Sequence, residues 1–283
     1  MLRRAEIADA PALETFLARH ADTSMFLRAN LADPGPAATD SPGATTFWLC
    51  ETAGEITGVI GFAEGGMLLV QMPELTVDAA ERLAPALRHA LAGRDIAMFN
   101  AEASQVAALL PVLGLEQAAL IERQPLYMLP LSELVSPQGN SVLRPMVAAD
   151  LDLIADWRQL YEDDLGDMFP AGGARKRAEA LIASGRGRVL TEAGAPVAMT
   201  AFNAALPDMV QIGNVFTPAE HRSRGYARRI VALHLQEAVA AGVTRAILFA
   251  SGTAACRAYE AIGFRRAGGY TLVSFAKPQR ISP

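Results

Sequence analysis

The sequence predicts an α/β (α+β) protein with two tandem domains, each a mixed, mostly antiparallel sheet flanked by helices. Three observations favour this class. The chain has 283 residues, 51% of them hydrophobic, which is long for a single hydrophobic core. It repeats itself at the scale of a whole domain. Both copies alternate β-rich runs with amphipathic helical patterns, as layered sheet-and-helix proteins do.

The composition argues against several classes of protein. Lys and Arg number 25 against 30 Asp and Glu, a net charge of −5, so no electrostatic footprint for nucleic acid is present. The two cysteines, Cys50 and Cys256, fit neither a disulfide framework nor a zinc spacing, and the four histidines are unclustered, so we expect no metal site. No run of about 18 apolar residues predicts a membrane span. We expect a cytoplasmic protein without a nucleic-acid or membrane partner.

The repeat is defined by ordered matches whose offset changes at one place. Each copy starts with a short strand, an aspartate helix cap and an amphipathic helix. The matched pairs are Leu2 with Leu143, Arg3 with Arg144 and Asp9 with Asp150 at an offset of 141, Gly54 with Gly194 and Gln71 with Gln211 at 140, and Gly93 with Gly242 and Gly114 with Gly263 at 149. The change of nine residues (149 − 140) places an insertion in the second copy between Ile212 and Gly225. We therefore predict domains at 1–135 and 142–283.

The elements of the second copy follow from its residue patterns. A strand at 142–144 leads to a helix from Asp150 to about Tyr161, because aspartate is a preferred helix cap and the apolar residues behind it recur at helical spacing. Gly-bearing turns then separate β-rich runs, which predicts strands. The remaining expected elements are, in order, a helix near 175–184, strands near 189, 197–202 and 209–216, a helix at 225–241, a strand at 245–250, a helix at 253–262 and a strand at 270–275. In the first copy, the Pro- and Gly-rich segment 33–43 predicts a surface loop, with a lid over a cleft as the alternative.

The segment 215–227 carries the clearest chemical signal. A β-rich run ends near Thr217, because Pro218 donates no ladder hydrogen bond. The run Arg222-Ser223-Arg224-Gly225-Tyr226-Ala227 then opens a helix. The first turn of a helix has unpartnered N–H groups and partial positive charge, a glycine lets the backbone approach a ligand, and arginines fork onto phosphate oxygens. The pattern indicates a diphosphate site, with an arginine-capped surface helix as the alternative.

Residues 142–276 resemble the GNAT superfamily of N-acetyltransferases. The resemblance rests on V-x-x-P followed by R-x-x-G-x-A at 215–227, on the strand and helix at 245–259, and on Y-x-x-x-G-F from Tyr259 to Phe264. It implies a GNAT-like fold for both tandem copies and acetyl-CoA, or a related acyl-CoA, as the cofactor. The strand 209–217 would splay from its neighbour and pair with the pantetheine arm. The implied cofactor-binding residues are Val215, Phe216, Thr217, Arg222, Ser223, Arg224, Gly225, Tyr226, Ala227, Ser251 and Thr253.

The resemblance also implies a catalytic role for Tyr259, as the general acid that returns a proton to the departing thiolate. The alternative is an aromatic residue of the core. The family often has an asparagine where this chain has Gly252, and the flanking Ser251 and Thr253 offer substitute hydrogen bonds. A backbone N–H near Val215 or Phe216 would stabilise the oxyanion.

The acceptor site is less well defined by the sequence. The strand 209–216 contains no carboxylate, so the general base is unassigned. An acidic stretch at 161–167 indicates attraction for a cationic amine or a base acting through water, with a solvated helix end as the alternative. The candidate acceptor residues are Trp157, Tyr161, Asp163, Asn203 and Asn214, and core packing is the alternative for Trp157.

The first copy is expected to keep the fold and to lack the cofactor loop. At the offset of 149, Pro73 replaces Arg222 and Thr76 replaces Gly225, while Glu74 would repel a diphosphate. The chain as a whole is expected to be an acyl-CoA-dependent N-acyltransferase that acts on a small-molecule amine or amino-acid-like acceptor. A non-catalytic acyl-CoA-binding or sensing protein is the alternative, and a purely structural protein is a third reading that the intact arginine loop argues against.

Overall fold

The computed structural model describes residues 1–33, 44–115, 117–166 and 172–282. Almost all of the Pro- and Gly-rich segment 33–43 lies outside the described residues, as does Asp167 of the acidic stretch. The chain divides into two compact units, which are treated separately below. Unit 1 comprises Met1–Gln124 with Gly268–Pro283, and unit 2 comprises Pro125–Ala267.

The same order of helices and strands occurs twice along the chain. The first series is β1 (Leu2–Arg4), α1 (Ala10–Ala18), α2 (Ala21–Ala32), β2 (Thr45–Thr52), β3 (Glu55–Ala63), β4 (Met67–Gln71), α3 (Val77–Leu91), β5 (Asp95–Glu102), α4 (Ala103–Val112) and β6 (Leu120–Pro130). The second series is β7 (Val142–Pro145), α5 (Leu151–Leu165), α6 (Ala174–Ala183), β8 (Gly187–Glu192), β9 (Ala195–Ala205), β10 (Met209–Phe216), α7 (Tyr226–Ala240), β11 (Arg245–Phe249), α8 (Gly252–Glu260) and β12 (Arg265–Arg280). The predicted repeat and the α/β class are therefore confirmed.

Each unit contains a mixed sheet in which one strand pair is parallel. In unit 1 the strand order is β1-β2-β3-β4-β5-β12, and β4 with β5 is the parallel pair. In unit 2 the order is β6-β11-β10-β9-β8-β7, and β10 with β11 is the parallel pair. The other pairs within each unit are antiparallel, as the sequence predicts.

Helices cover both faces of the sheet in unit 2, because successive residues of a strand face opposite sides. On β9, Ala198 contributes to a buried cluster with Ile230 of α7, whereas the next residue, Met199, packs in a second cluster with Ile154 of α5. Unit 1 likewise has two buried clusters, one that includes Leu87 of α3 and one that includes Leu13 of α1. These clusters fix the helices on which the site residues lie.

The final strands of the two series are exchanged between the units. Residues 126–130 of β6 pair with β11 in unit 2, and β12 pairs with β5 in unit 1. The compact units thus differ from the sequence domains 1–135 and 142–283 at these two strands. The reason is that a repeat found by residue similarity records which strands correspond, whereas hydrogen bonding decides which sheet a strand completes.

The start of each series is held by the same ion pair. Arg3 contacts Asp9 at 2.7 Å, and Arg144 contacts Asp150 at 2.7 Å. The aspartate also accepts a backbone hydrogen bond, from Glu6 in the first series and from Val147 in the second. In each series one aspartate carboxylate thus binds both an arginine and a backbone amide. This shared role explains why Arg3 and Asp9 match Arg144 and Asp150 at an offset of 141.

The ion pair predicts a pH dependence of stability. The hydrogen bond from Arg3, together with the backbone hydrogen bond from Glu6, lowers the pKa of Asp9 to about 2 from 3.8. Because the folded-state pKa is the lower one, this stabilisation is complete at neutral pH and is lost as the pH falls from about 4 towards 2. We expect Asp9→Asn to be less stable than the wild type at pH 6, with a difference that narrows below pH about 4.5. Urea unfolding at pH values from 6 to 3 measures the difference in unfolding free energy between the two proteins. A difference that does not change with pH would contradict the lowered pKa of Asp9. The exposed Asp163, changed to Asn, is the control.

In the described part of the chain, no helix has the length and apolar character needed to cross a membrane.

Candidate functional site

The parallel strands β10 and β11 separate at the middle of unit 2. They pair from Met209 with Arg245 to Ile212 with Leu248, and no further pair joins them in the described residues. The pairing of β10 with β9 also shifts register between Gly213 and Phe216. Asn214 has a φ of 53°, in the left-handed region. A β-bulge of this kind bends the strand that carries it, and it leaves the main chain of residues 213–216 open on the β11 side.

A cradle of backbone amides follows this open strand. Ser223 and Gly225 have φ angles of 63° and 80°, and α7 begins at the next residue, Tyr226. The first amide to bond back into the helix is that of Arg229, which donates to the Gly225 oxygen at 3.1 Å. Across the described chain, the amides of residues 223–228 find no hydrogen-bond acceptor. Several consecutive free donors at a helix N-terminus form a site for an anion such as a diphosphate.

Glycine is favoured at position 225 because its left-handed φ is unfavourable for residues with a side chain. A Cβ there would also lie 3.1 Å from Nε of Arg228, so the exposed Arg228 side chain would have to shift slightly. Arg224 and Arg228 are exposed beside it and add positive charge. The third arginine, Arg222, contacts Asp164 at 2.7 Å and donates to the Thr217 oxygen at 3.1 Å. Because this ion pair is about half exposed, with side chains 50% and 53% accessible, it is weak enough for a phosphate to displace.

Tyr259 lies on α8 in the core cluster of α7 and the sheet, and only 7% of it is exposed. Its ring contacts Phe264 edge-on, with centroids 6.1 Å apart. Burial raises its pKa well above the usual value, and the neighbouring Tyr161 and Cys256 act in the same direction. The phenol therefore keeps its proton at neutral pH. Ser251 and Thr253 are exposed at the start of the same helix.

The structure gathers some of the predicted acceptor residues and separates one of them. Tyr161 and Trp157 on α5 contact Phe216, with ring centroids 6.5 and 6.2 Å apart. Trp157 is buried in the α5 core cluster. Asn214 donates to Asn203 at 2.7 Å beside the bulge. Asp163 faces solvent and accepts a hydrogen bond from Gln159, so it does not join this group.

Sequence reasoning missed a buried charged network next to the bulge. Arg158 on α5 donates to Oδ1 of Asn214 and contacts Glu162 at 2.5 Å. Arg177 on α6 donates from Nε to the same Glu162 carboxylate at 2.7 Å. Burial raises the pKa of Glu162, but the hydrogen bond from Arg177 and the charges of both arginines outweigh it and leave the pKa lowered. Glu162 is thus a charged partner of two arginines and is poorly suited to act as a base. The only signal in the sequence is the i, i+4 spacing of Arg158 and Glu162.

The corresponding region of unit 1 is closed by side chains. Thr76 caps α3, and its hydroxyl accepts from the Ala79 amide at 3.2 Å. The Met72 amide, which follows β4, donates to Oε1 of the buried Gln105 at 2.7 Å. At the offset of 149, Gln105 corresponds to Ala254, which has no polar side chain. The amide of Ala79, which corresponds to the open Arg228 amide of unit 2, is therefore satisfied internally in unit 1.

Comparisons with known proteins relate the chain to acetyltransferases. Residues 154–264 match the acetyltransferase (GNAT) family. No curated protein gives a significant match. Among solved structures, an acetyltransferase of the GNAT family from Colwellia psychrerythraea is 12% identical, covers 97% of this chain and 99% of its own, and superposes with a TM-score of 0.55. A GCN5-related N-acetyltransferase from Sphaerobacter thermophilus is 18% identical, with coverage of 100% and 96% and a TM-score of 0.54.

A tandem GNAT protein from the clavulanic acid biosynthesis pathway also matches, at 12% identity, with coverage of 100% and 99% and a TM-score of 0.50. At such low identities these similarities establish the fold alone. The chain therefore has the tandem GNAT fold, and its residues 154–264 match the acetyltransferase (GNAT) family.

Proposed function

We propose that unit 2 transfers an acetyl group from acetyl-CoA to the primary amine of a small cytoplasmic molecule. One observation carries the proposal: the amides of residues 223–228 are without an acceptor and directly follow a strand whose main chain is open at 213–216. The first feature suits the diphosphate of acetyl-CoA and the second suits its pantetheine arm, which pairs with a strand edge through amide hydrogen bonds. The two lie on consecutive elements, as one extended ligand requires.

The reaction needs three contributions from the protein. Bound acetyl-CoA would supply a thioester. The amine nitrogen would add to its carbonyl carbon to give a tetrahedral oxyanion, and the C–S bond would then break with CoA thiolate as the leaving group. An amide at Val215 or Phe216, on the open part of β10, stabilises the negative charge on the carbonyl oxygen. The Tyr259 phenol, which is protonated at neutral pH, would give its proton to the departing thiolate. The proton lost by the amine would pass to solvent, and solvent would return a proton to Tyr259. Glu162 is not available as the base because two arginines hold it.

We further propose that unit 1 does not bind acetyl-CoA. The Thr76 hydroxyl already accepts from the Ala79 amide, which corresponds to the open Arg228 amide of unit 2. In addition, β4 ends at Gln71, before the positions that correspond to the open main chain of residues 213–216. Unit 1 then serves as a structural support.

Calorimetric titration of acetyl-CoA and a thiol-release assay with a panel of small primary amines test both proposals. We expect one binding site per chain and steady release of CoA with at least one class of amine. Two sites per chain would contradict the proposal for unit 1. A folded chain that does not bind would contradict the proposal for unit 2, and binding without turnover across the panel would favour a sensing role.

A further inference from the structure

The bulge in β10 is built on a residue that does not adopt its conformation readily. Asn214 has a φ of 53°, which few residues other than glycine adopt without cost, although asparagine is among the more tolerant. Its side chain is held at both ends. Oδ1 accepts from Nη1 of Arg158, and Nδ2 donates to Oδ1 of Asn203 at 2.7 Å. The conformation is therefore fixed by contacts from α5 and β9.

The neighbouring glycine makes room for this arrangement. A Cβ at Gly213 would lie 2.0 Å from Nδ2 of Asn203. Any larger residue at 213 would thus push Asn203 away from Asn214. Gly213, Asn214 and Asn203 form a set in which each residue depends on the others.

The Arg158 side chain, which contacts Asn214, is also held by an ion pair with Glu162. Its side chain is 5% exposed and that of Glu162 is 7% exposed, and the two are 2.5 Å apart. Arg177 of α6 binds the same carboxylate, so the guanidinium of Arg158 is oriented by an ion pair that is itself fixed. A buried ion pair is costly to desolvate and is weak evidence for stability. The position of this ion pair beside the bulge suggests that it holds Arg158, and through it the bulge, in a fixed geometry.

The first series of elements provides an internal comparison. At the offset of 141, Arg158 corresponds to the fully buried Leu17, and at the offset of 140, Asn203 corresponds to Ala63. In that series the ladder from Val59 with Gln71 to Ala63 with Met67 is regular. β4 ends at Gln71, whereas its counterpart β10 continues past Gln211 into the bulge. The polar set is therefore absent from unit 1, where the strand stops before the positions that correspond to the bulge.

We propose that Arg158, oriented by Glu162 and Arg177, is a positioning residue that acts through Asn214 to aim the backbone amides of residues 215 and 216 at the reacting carbonyl. This inference rests on the proposed acetyl transfer. Arg158 contacts neither the acetyl group nor the amine. It fixes the peptide planes that follow Asn214, and these carry the oxyanion donors.

Four variants test the inference. Arg158→Met removes the contact to Asn214 and keeps much of the apolar stem. Arg158→Lys keeps a charge and a donor. Asn214→Gly accepts the left-handed conformation but loses both side-chain contacts. Arg175→Met makes the same change as the first variant at an arginine of α6 whose side chain is 58% exposed, and it serves as the matched control.

Three measurements separate positioning from structural support. In hydrogen–deuterium exchange of the free protein, we expect Arg158→Met and Asn214→Gly to speed exchange of residues 212–217 at least about 10-fold, with α7 unchanged. Acetyl-CoA affinity should stay within about 3-fold, while kcat falls about 10- to 100-fold, because a small misplacement of a reacting group is enough to produce such losses. Arg158→Lys should restore part of kcat, and Arg175→Met should match the wild type.

Three outcomes would contradict either this inference or the proposed function, and the measurements distinguish between them. Unchanged exchange at 212–217 in both Arg158→Met and Asn214→Gly would overturn the inference, whatever the activity. Faster exchange with an unchanged kcat would also overturn it, because the amides would then not need to be aimed. A wild type that binds no acetyl-CoA would instead refute the proposed function and with it the catalytic role, while the exchange data would still report whether Arg158 holds the bulge.

Discussion

Gly225→Asp is expected to abolish acetyl-CoA binding, with Kd weakened at least about 100-fold, or about 2.7 kcal/mol. Three effects combine. The left-handed φ of 80° becomes strained, the new Cβ lies 3.1 Å from Nε of Arg228, and a carboxylate is placed among amides that are suited to an anion. Each of these acts on the geometry or charge of the diphosphate cradle at residues 223–228. Isothermal titration of acetyl-CoA measures the effect.

Gly242→Asp is the matched control for this prediction. Gly242 follows the other end of α7, has a φ of 92°, and has no atom within 4 Å of an added Cβ. The change therefore introduces similar backbone strain and the same charge at a distance from the cradle. We expect it to lower stability and to leave acetyl-CoA affinity within about 2-fold. Equal loss of binding in both variants would show that the effect comes from unfolding rather than from the cradle.

Tyr259→Phe is expected to lower kcat about 100-fold while acetyl-CoA affinity is retained. The change removes one hydroxyl from a buried ring and leaves its contact with Phe264 in place. A loss confined to kcat is the signature of an interaction made in the transition state. Steady-state thiol release and titration of acetyl-CoA together give this separation.

The pH profile provides a second check on Tyr259. Because burial raises its pKa above the usual value of 10.0, the phenol should remain protonated through the ordinary tyrosine range. We expect no loss of kcat from its ionisation up to pH about 10. Tyr270→Phe, at a buried tyrosine of unit 1, is the control and should leave kcat unchanged. An unchanged kcat in Tyr259→Phe would assign this residue to the core alone.

The sequence was sufficient to predict the repeat, the order of elements and the loop at 222–227. These rest on local signals: a proline that ends a strand, a glycine that lets the backbone bend tightly and apolar residues at helical spacing. The predicted end of the first helix of unit 2, at Tyr161, was one turn too early. The helix α5 continues to Leu165 and ends at Gly166, whose φ is 65°. Charged residues in its last turns hid this continuation.

The charged network and the strand exchange could not be predicted, for physical reasons. A run of charged residues on a helix usually faces solvent, and nothing local marks Arg158 and Glu162 as buried. Their burial depends on Arg177 and Asn214, which lie on other elements. The strands β6 and β12 are equivalent in pattern, so their residues cannot show which sheet each one completes.

The exchanged strands affect how the protein folds while it is being synthesised on the ribosome. The sheet of unit 1 is completed by β12, which lies far along the chain from β5, as the ion pair between Asp95 and Arg280, 185 positions apart, illustrates. The first series therefore emerges from the ribosome before β12, and the edge of β5 stays unpaired until β12 has been synthesised. Contacts so distant in sequence slow folding, and an unpaired edge invites association with other chains. We expect chains truncated before β12 to aggregate, even when every residue of the first series is present.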